Sequence, residues 1–147
     1  MLRRLATALL CCGVLLFAPK AGATTPTPFG PWLTEDRQGL IAITPCGADI
    51  CGRIAGITLD HPADPQPQDW RGHPQCGDLI MVAAPTADAA KWSGTITDPL
   101  NGAVWQATVT LQNNQLQLRG YLLLPLLGDT QTWVRYTGQI HPGCRFT

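Results

Sequence analysis

Ala103-Val104-Trp105-Gln106-Ala107-Thr108-Val109-Thr110-Leu111-Gln112-Asn113-Asn114-Gln115-Leu116-Gln117-Leu118-Arg119 alternates almost without a break. Trp105, Ala107, Val109 and Leu111 fall on one face, with Gln106, Thr108 and Thr110 between them. A period of two belongs to a strand with one dry and one wet side; a helix would repeat at 3.6. Gln112-Asn113-Asn114 then suits a tight turn, after which Leu116 and Leu118 resume the alternation against Gln115, Gln117 and Arg119. The reading is a β-hairpin.

The same signal spreads outward. Trp92 to Thr97 runs into Asp98-Pro99-Leu100-Asn101-Gly102. Asp opens such a turn, Pro presets φ and Gly accepts a positive φ, so 92–98 and 103–111 form a second hairpin. Leu40 to Thr44 and Cys51 to Thr58 make a third around Gly47-Ala48-Asp49-Ile50. Leu79 to Ala83, Gln131 to Thr137 and Phe29 to Leu33 complete a set of eight predicted strands. Asp60 to Gln75, with four prolines and three aspartates, is predicted to be an extended loop. Eight short strands in succession predict an all-β, antiparallel up-and-down barrel, because closure removes exposed edges. An open β-sandwich is the alternative.

The N-terminus is organised differently. Arg3 and Arg4 precede an apolar run from Leu5 to Ala18, and Ala21-Gly22-Ala23 supplies the small-x-small pattern of a signal-peptidase site. Residues 1–23 are therefore expected to be a cleaved signal peptide and 24–147 a single barrel domain. The apolar run is about 14 residues, against the roughly 20 of a spanning helix. No later run reaches that length, so a soluble periplasmic or secreted product is expected. Loss of 23 of the 147 residues leaves 124. Lys91 and six arginines then face ten acids, a net charge of −3, which argues against nucleic acid as a partner.

Four cysteines remain in the mature chain: Cys46, Cys51, Cys76 and Cys144. In an oxidising compartment an even count reads as two disulfides, with three possible pairings. Cys46 and Cys51 flank the turn of the third hairpin and are predicted to sit opposite each other across it, which leaves Cys76 for Cys144.

Catalytic signatures are absent from the sequence. Ser93, the sole serine, lies in Trp-Ser-Gly on a predicted strand, without a nucleophile-elbow pattern. Glu35-Asp36 is the one adjacent carboxylate pair, and Asp98 reads as a turn initiator. His73-Pro74-Gln75-Cys76 and His141-Pro142-Gly143-Cys144 repeat a His-Pro-x-Cys pattern that could assemble a Cys2His2 zinc or copper site. Oxidation of the two cysteines to each other is the stronger expectation, so neither metal nor other cofactor is predicted.

Several stretches resemble a family of small exported bacterial proteins known as domain of unknown function 2147. They are Gly30-Pro31-Trp32, Cys46-Gly47 with Cys51-Gly52-Arg53-Ile54, Cys76-Gly77, Trp92-Ser93-Gly94, Asp98-Pro99 with Gly102, Arg119-Gly120-Tyr121 and Leu127-Gly128-Asp129-Thr130-Gln131-Thr132-Trp133-Val134-Arg135. The chain departs from the family pattern at Asp129, where a basic residue is usual, at Ala103 and Trp105, which replace Lys and Tyr, and at Leu123, where Gly is common. Cys144 lies beyond the family's usual end. The resemblance implies a lipocalin-like barrel and no activity.

Gly30-x-Trp32 on a first strand and Arg135 on a last one look like the closing device of such barrels, an arginine laid flat across an indole. Among the tryptophans and tyrosines, Trp105, Tyr121 and Trp133 are the residues expected to line a ligand pocket. The expected function is non-catalytic binding of a small apolar ligand or a cell-envelope component. The alternative is a structural or protein-interaction barrel whose core is filled.

Overall fold

A computed structural model describes residues 26–147 apart from Leu124; the expected signal peptide lies outside the described residues. Eight strands follow in order around a closed antiparallel barrel: β1 (Gly30–Leu33), β2 (Gly39–Cys46), β3 (Asp49–Ile57), β4 (Leu79–Pro85), β5 (Lys91–Thr97), β6 (Val104–Gln112), β7 (Gln115–Tyr121) and β8 (Asp129–Arg135). Closure comes from Trp32 opposite Arg135 and Leu33 opposite Val134, which rules out the open sandwich. Two short strands, β9 (Ile140–His141) and β10 (Arg145–Phe146), form a separate ribbon after the barrel.

Local chemistry explains the turns. Gln112 pairs with Gln115, so Asn113 and Asn114 make a two-residue turn with φ of 52° and 58°. Asn tolerates that left-handed conformation, and the turn it makes matches the twist of a hairpin. The Asp98 carboxylate accepts from Leu100 N at 2.8 Å and from Asn101 Nδ2 at 2.9 Å, and Ala103 N donates to Asn101 Oδ1 at 2.8 Å.

Several strand boundaries differ from the sequence reading. β3 begins at Asp49, so the β2–β3 turn is only Gly47-Ala48. Cys46 consequently faces Asp49, and Cys51 faces Thr44. The Cys46–Cys51 disulfide runs diagonally across the hairpin, with Cα atoms 5.8 Å apart, and is not a directly opposed pair. β8 runs from Asp129 to Arg135 and not from Gln131 to Thr137. Tyr136 leaves the sheet, and its ring meets Phe146 edge-on at 5.6 Å.

The second disulfide, Cys76–Cys144, joins residues 68 apart. A loop of that length stabilises by about 4 kcal/mol in chain-entropy terms. It fastens the C-terminal segment along β3, where Ile57 N donates to Cys144 O at 2.8 Å. It also anchors the long β3–β4 connection from its far side.

Inward positions fill the lower half of the barrel. Trp32, Ile43, Ile50, Met81, Ala83, Trp92, Val109 and Leu116 are buried there in one cluster. At the end where β2 meets β3 and β6 meets β7, the floor is closed. Trp32 is fully buried, its Nε1 donates to Pro28 O at 2.7 Å, and the Arg135 guanidinium lies 4.2 Å from its ring centroid. Arg135 also donates to Phe29 O at 2.6 Å, to Thr27 O, and to Asn114 Oδ1 at 3.0 Å. The arginine thus ties the N-terminal segment and the β6–β7 turn across the base.

Candidate functional site

The opposite end stays open. A cavity of about 590 Å³ descends from it, walled by Ile41, Ile54, Ile80, Ile96, Trp105 and Trp133. A second space of about 330 Å³ shares Ile96, Trp105, Gln131 and Trp133 and extends toward Leu118, Gly120 and Leu127. Gly120 leaves the wall of the second space open, since a Cβ there would meet nothing within 4 Å.

Several polar groups of the wall are already partnered within the protein. Trp133 Nε1 donates to Gln131 Oε1 at 2.9 Å, so the indole N–H is already partnered. Gln75, buried at the rim, donates from Nε2 to Gln68 O at 3.0 Å. Asp36, whose carboxylate accepts from Thr34 Oγ1 at 2.7 Å and from Gln38 N at 3.0 Å, is held in its own turn at the mouth. Its neighbour Glu35 accepts from Thr132 N, where β8 has run past the end of β1. The two adjacent carboxylates therefore serve the rim and the seam.

Trp105 and Trp133 lie together in the cavity wall, Trp133 buried and Trp105 38% exposed at the mouth. Tyr121 lines neither space. Alternation along β7 sends Gly120 inward, and Tyr121 pairs with Gln106, which alternates outward between Trp105 and Ala107. The expectation that Tyr121 faces a ligand is corrected on that ground. Ile41, Ile54 and Ile96 were not singled out from the sequence, although their alternation marks them as inward; Ile80 breaks the alternation of β4 at a register shift against β3.

The β3–β4 connection, expected to be merely extended, is an ordered cap. Pro67 and Gln75 reach the cavity, Gln68 bridges to Pro74, and Trp70 N donates to Pro99 O at 3.0 Å. Its hub is Asp69. The enclosed carboxylate accepts from Arg71 N at 2.8 Å, Arg71 Nε at 2.7 Å and His73 N at 2.9 Å, while the Arg71 guanidinium covers the Trp70 ring at 4.5 Å. Burial alone would raise the carboxyl's pKa; the His73 N–H and the Arg71 side chain and backbone N–H outweigh it, so the pKa lies below its ordinary 3.8. A depressed native pKa stabilises the fold above the unfolded value and loses that contribution as pH falls through the native one. Acid unfolding of wild type should therefore contain a component below pH 3.8 that is missing from Asp69→Asn. Identical acid limbs in a pH series of urea midpoints would contradict this.

In the two His-Pro-x-Cys segments the sulfurs are bonded to each other, so neither is a thiolate ligand. Among the described residues no group of three or more His, Cys, Asp or Glu side chains could hold a metal ion. Nor does any described helix have the length and apolarity to cross a membrane.

Residues 30–135 match the sequence model of a family described as uncharacterized protein conserved in bacteria (DUF2147). No curated protein matches the chain. Among solved structures, it is similar to protein HP1028 from the human pathogen Helicobacter pylori, which belongs to the lipocalin family. That likeness has a TM-score of 0.63 at 14% identity and covers 77% of this chain and 85% of the other. At such identity it speaks for the fold alone.

Proposed function

The chain belongs to the DUF2147 family of uncharacterised bacterial proteins, and from the geometry of its barrel we propose that it is a non-catalytic binder of a small, largely apolar molecule. The observation that carries this is the open cavity of about 590 Å³, set above a sealed floor and walled by isoleucine and tryptophan. Its size falls in the range of about 300–1,000 Å³ typical of small-molecule sites. With the indole N–H of Trp133 and the amide of Gln75 already bonded within the protein, the wall favours a ligand that asks for few hydrogen bonds. A barrel filled by its own side chains accounts for the lower half of the interior and leaves the upper half unexplained.

Export to the periplasm or beyond goes with this reading. It is supported by the signal-like residues 1–23 and by the two disulfides, which persist in oxidising surroundings. The ligand would then be a component of the cell envelope or of the medium.

An apolar dye whose emission rises in dry surroundings tests the proposal. Wild type should bind it in the micromolar range or tighter. Ile96→Trp, which fills the wall shared by both spaces, should weaken binding at least tenfold, equivalent to about 1.4 kcal/mol. Tyr121→Ala should bind as wild type does. Undiminished binding by Ile96→Trp would remove the cavity as the site.

A further inference from the structure

We propose that the open mouth of the barrel docks on a lipid bilayer through the leucines of the β7–β8 connection. The sequence there reads Leu122-Leu-Leu-Pro-Leu-Leu127, and between Gly120 and Val134 the only charged residue is Asp129. Leu122, Leu123, Leu126 and Leu127 are 62%, 87%, 87% and 77% exposed. An isolated exposed leucine is ordinary; four in one short connection, with no polar side chain among them, form a protruding apolar patch.

The backbone beneath them is held. Arg119 donates to Leu126 O at 3.1 Å and to Thr130 Oγ1 at 2.7 Å, and Pro125–Leu127 form a turn of 3-10 helix. The leucines thus stand out from an anchored support. Leu100, 71% exposed, belongs to the rim of the main cavity, and Leu127 to the wall of the adjoining space. The patch is therefore continuous with the apolar interior.

A bilayer suits this surface better than a protein does. Protein interfaces are anchored by aromatic and arginine side chains with matched hydrogen bonds, none of which the connection offers. Protruding aliphatic side chains enter the acyl region of a membrane without shape complementarity. With the adjacent Arg119 guanidinium turned back onto Leu126 O and Thr130 Oγ1 and a mature net charge of −3, attachment should be driven by apolar insertion and should gain little from anionic lipid.

Flotation of the mature chain with phosphatidylcholine vesicles is the experiment. Wild type should float, with little change on raising salt or adding phosphatidylglycerol. Leu123→Asp/Leu126→Asp should lower the partition coefficient at least tenfold, since one leucine taken from water into hydrocarbon is already worth about that factor or more. Ala48→Asp, exposed at the closed end, should float as wild type does. Ile96→Trp should also float, so that failure of docking and failure of ligand binding remain separate results. In Leu126→Trp, the emission of the new indole should be quenched by lipids brominated along their acyl chains, a readout that does not depend on the charged variant folding. The proposal is overturned if wild type stays out of the vesicle fraction, if the double Asp variant floats undiminished, or if residue 126 escapes quenching. It is equally overturned if the patch instead yields a dimer that the double variant loses while neither protein binds vesicles.

Discussion

Trp32→Ala should destabilise the barrel by about 3–5 kcal/mol, the usual cost of emptying a large, fully buried aromatic site. The position justifies the upper part of that range. The ring has no exposed surface, its N–H bonds Pro28 O, and its pairing with Arg135 is one of two that join β1 to β8. Arg135→Ala should cost less. The cation–π contact contributes about 0.5–2 kcal/mol, and loss of the arginine stem's packing adds to it. Arg135→Lys should recover only part, because an ammonium cannot lie flat on an indole or reach Phe29 O, Thr27 O and Asn114 together. The two positions should be coupled. In urea unfolding of the two alanine variants and their double, the sum of the single effects should exceed the double by about 0.5–3 kcal/mol. Additivity would mean that the stack contributes nothing to closure.

Gly94→Ala is the second large effect expected, although it adds only a methyl group. A Cβ at Gly94 would sit 1.9 Å from Val82 O and 2.6 Å from Ala83 Cα, both backbone atoms of β4. Neither can swing aside as a side-chain tip would, so β4 and β5 must separate in the middle of their ladder. A cost of about 3 kcal/mol or more follows, with failure to fold as the extreme. Gly120→Ala is the matched control on β7, where a Cβ would meet nothing within 4 Å. There the same substitution should be neutral or should stabilise by about 0.5–1 kcal/mol, by restricting the unfolded chain. Thermal melts of the two variants side by side check the contrast. Equal effects would show that close strand approach at Gly94 is not what glycine supplies.

The parts of the fold that could be read in advance are those encoded by local rules. Trp105 to Leu118 announces a hairpin because burial on one face imposes alternation, and Asn113-Asn114 announces its turn because few residues accept two successive positive φ values. The closing pair was legible as well, since Trp32 and Arg135 sit on the first and last predicted strands. β9 and β10 were not, because two-residue strands carry no periodicity and are positioned by a disulfide to a residue 68 away. Tyr121 was misassigned because its aromatic ring suggested a pocket while its parity placed it outside. The extent of the cavity was not legible for a related reason. Alternation tells which side chains point inward, but whether they meet depends on the summed sizes contributed by eight strands and on the cap built around Asp69. The leucines after β7 gave no periodic signal, and only their exposure distinguishes them from a core segment.

The seam also sets an order of events. Arg135 reaches Phe29 and Thr27, residues 106 and 108 positions earlier, whereas each hairpin can form from neighbours as they emerge. A nascent or translocating chain that has not yet delivered residue 135 can zip β2 through β7 but cannot lay the arginine over Trp32. Its first strand retains one unsatisfied edge, and the largest side chain of the base stays uncovered until the end. Contacts of such long range come late because loop-closure entropy must be overcome before they form. In this topology, delivering the last barrel strand and sealing the base are the same step.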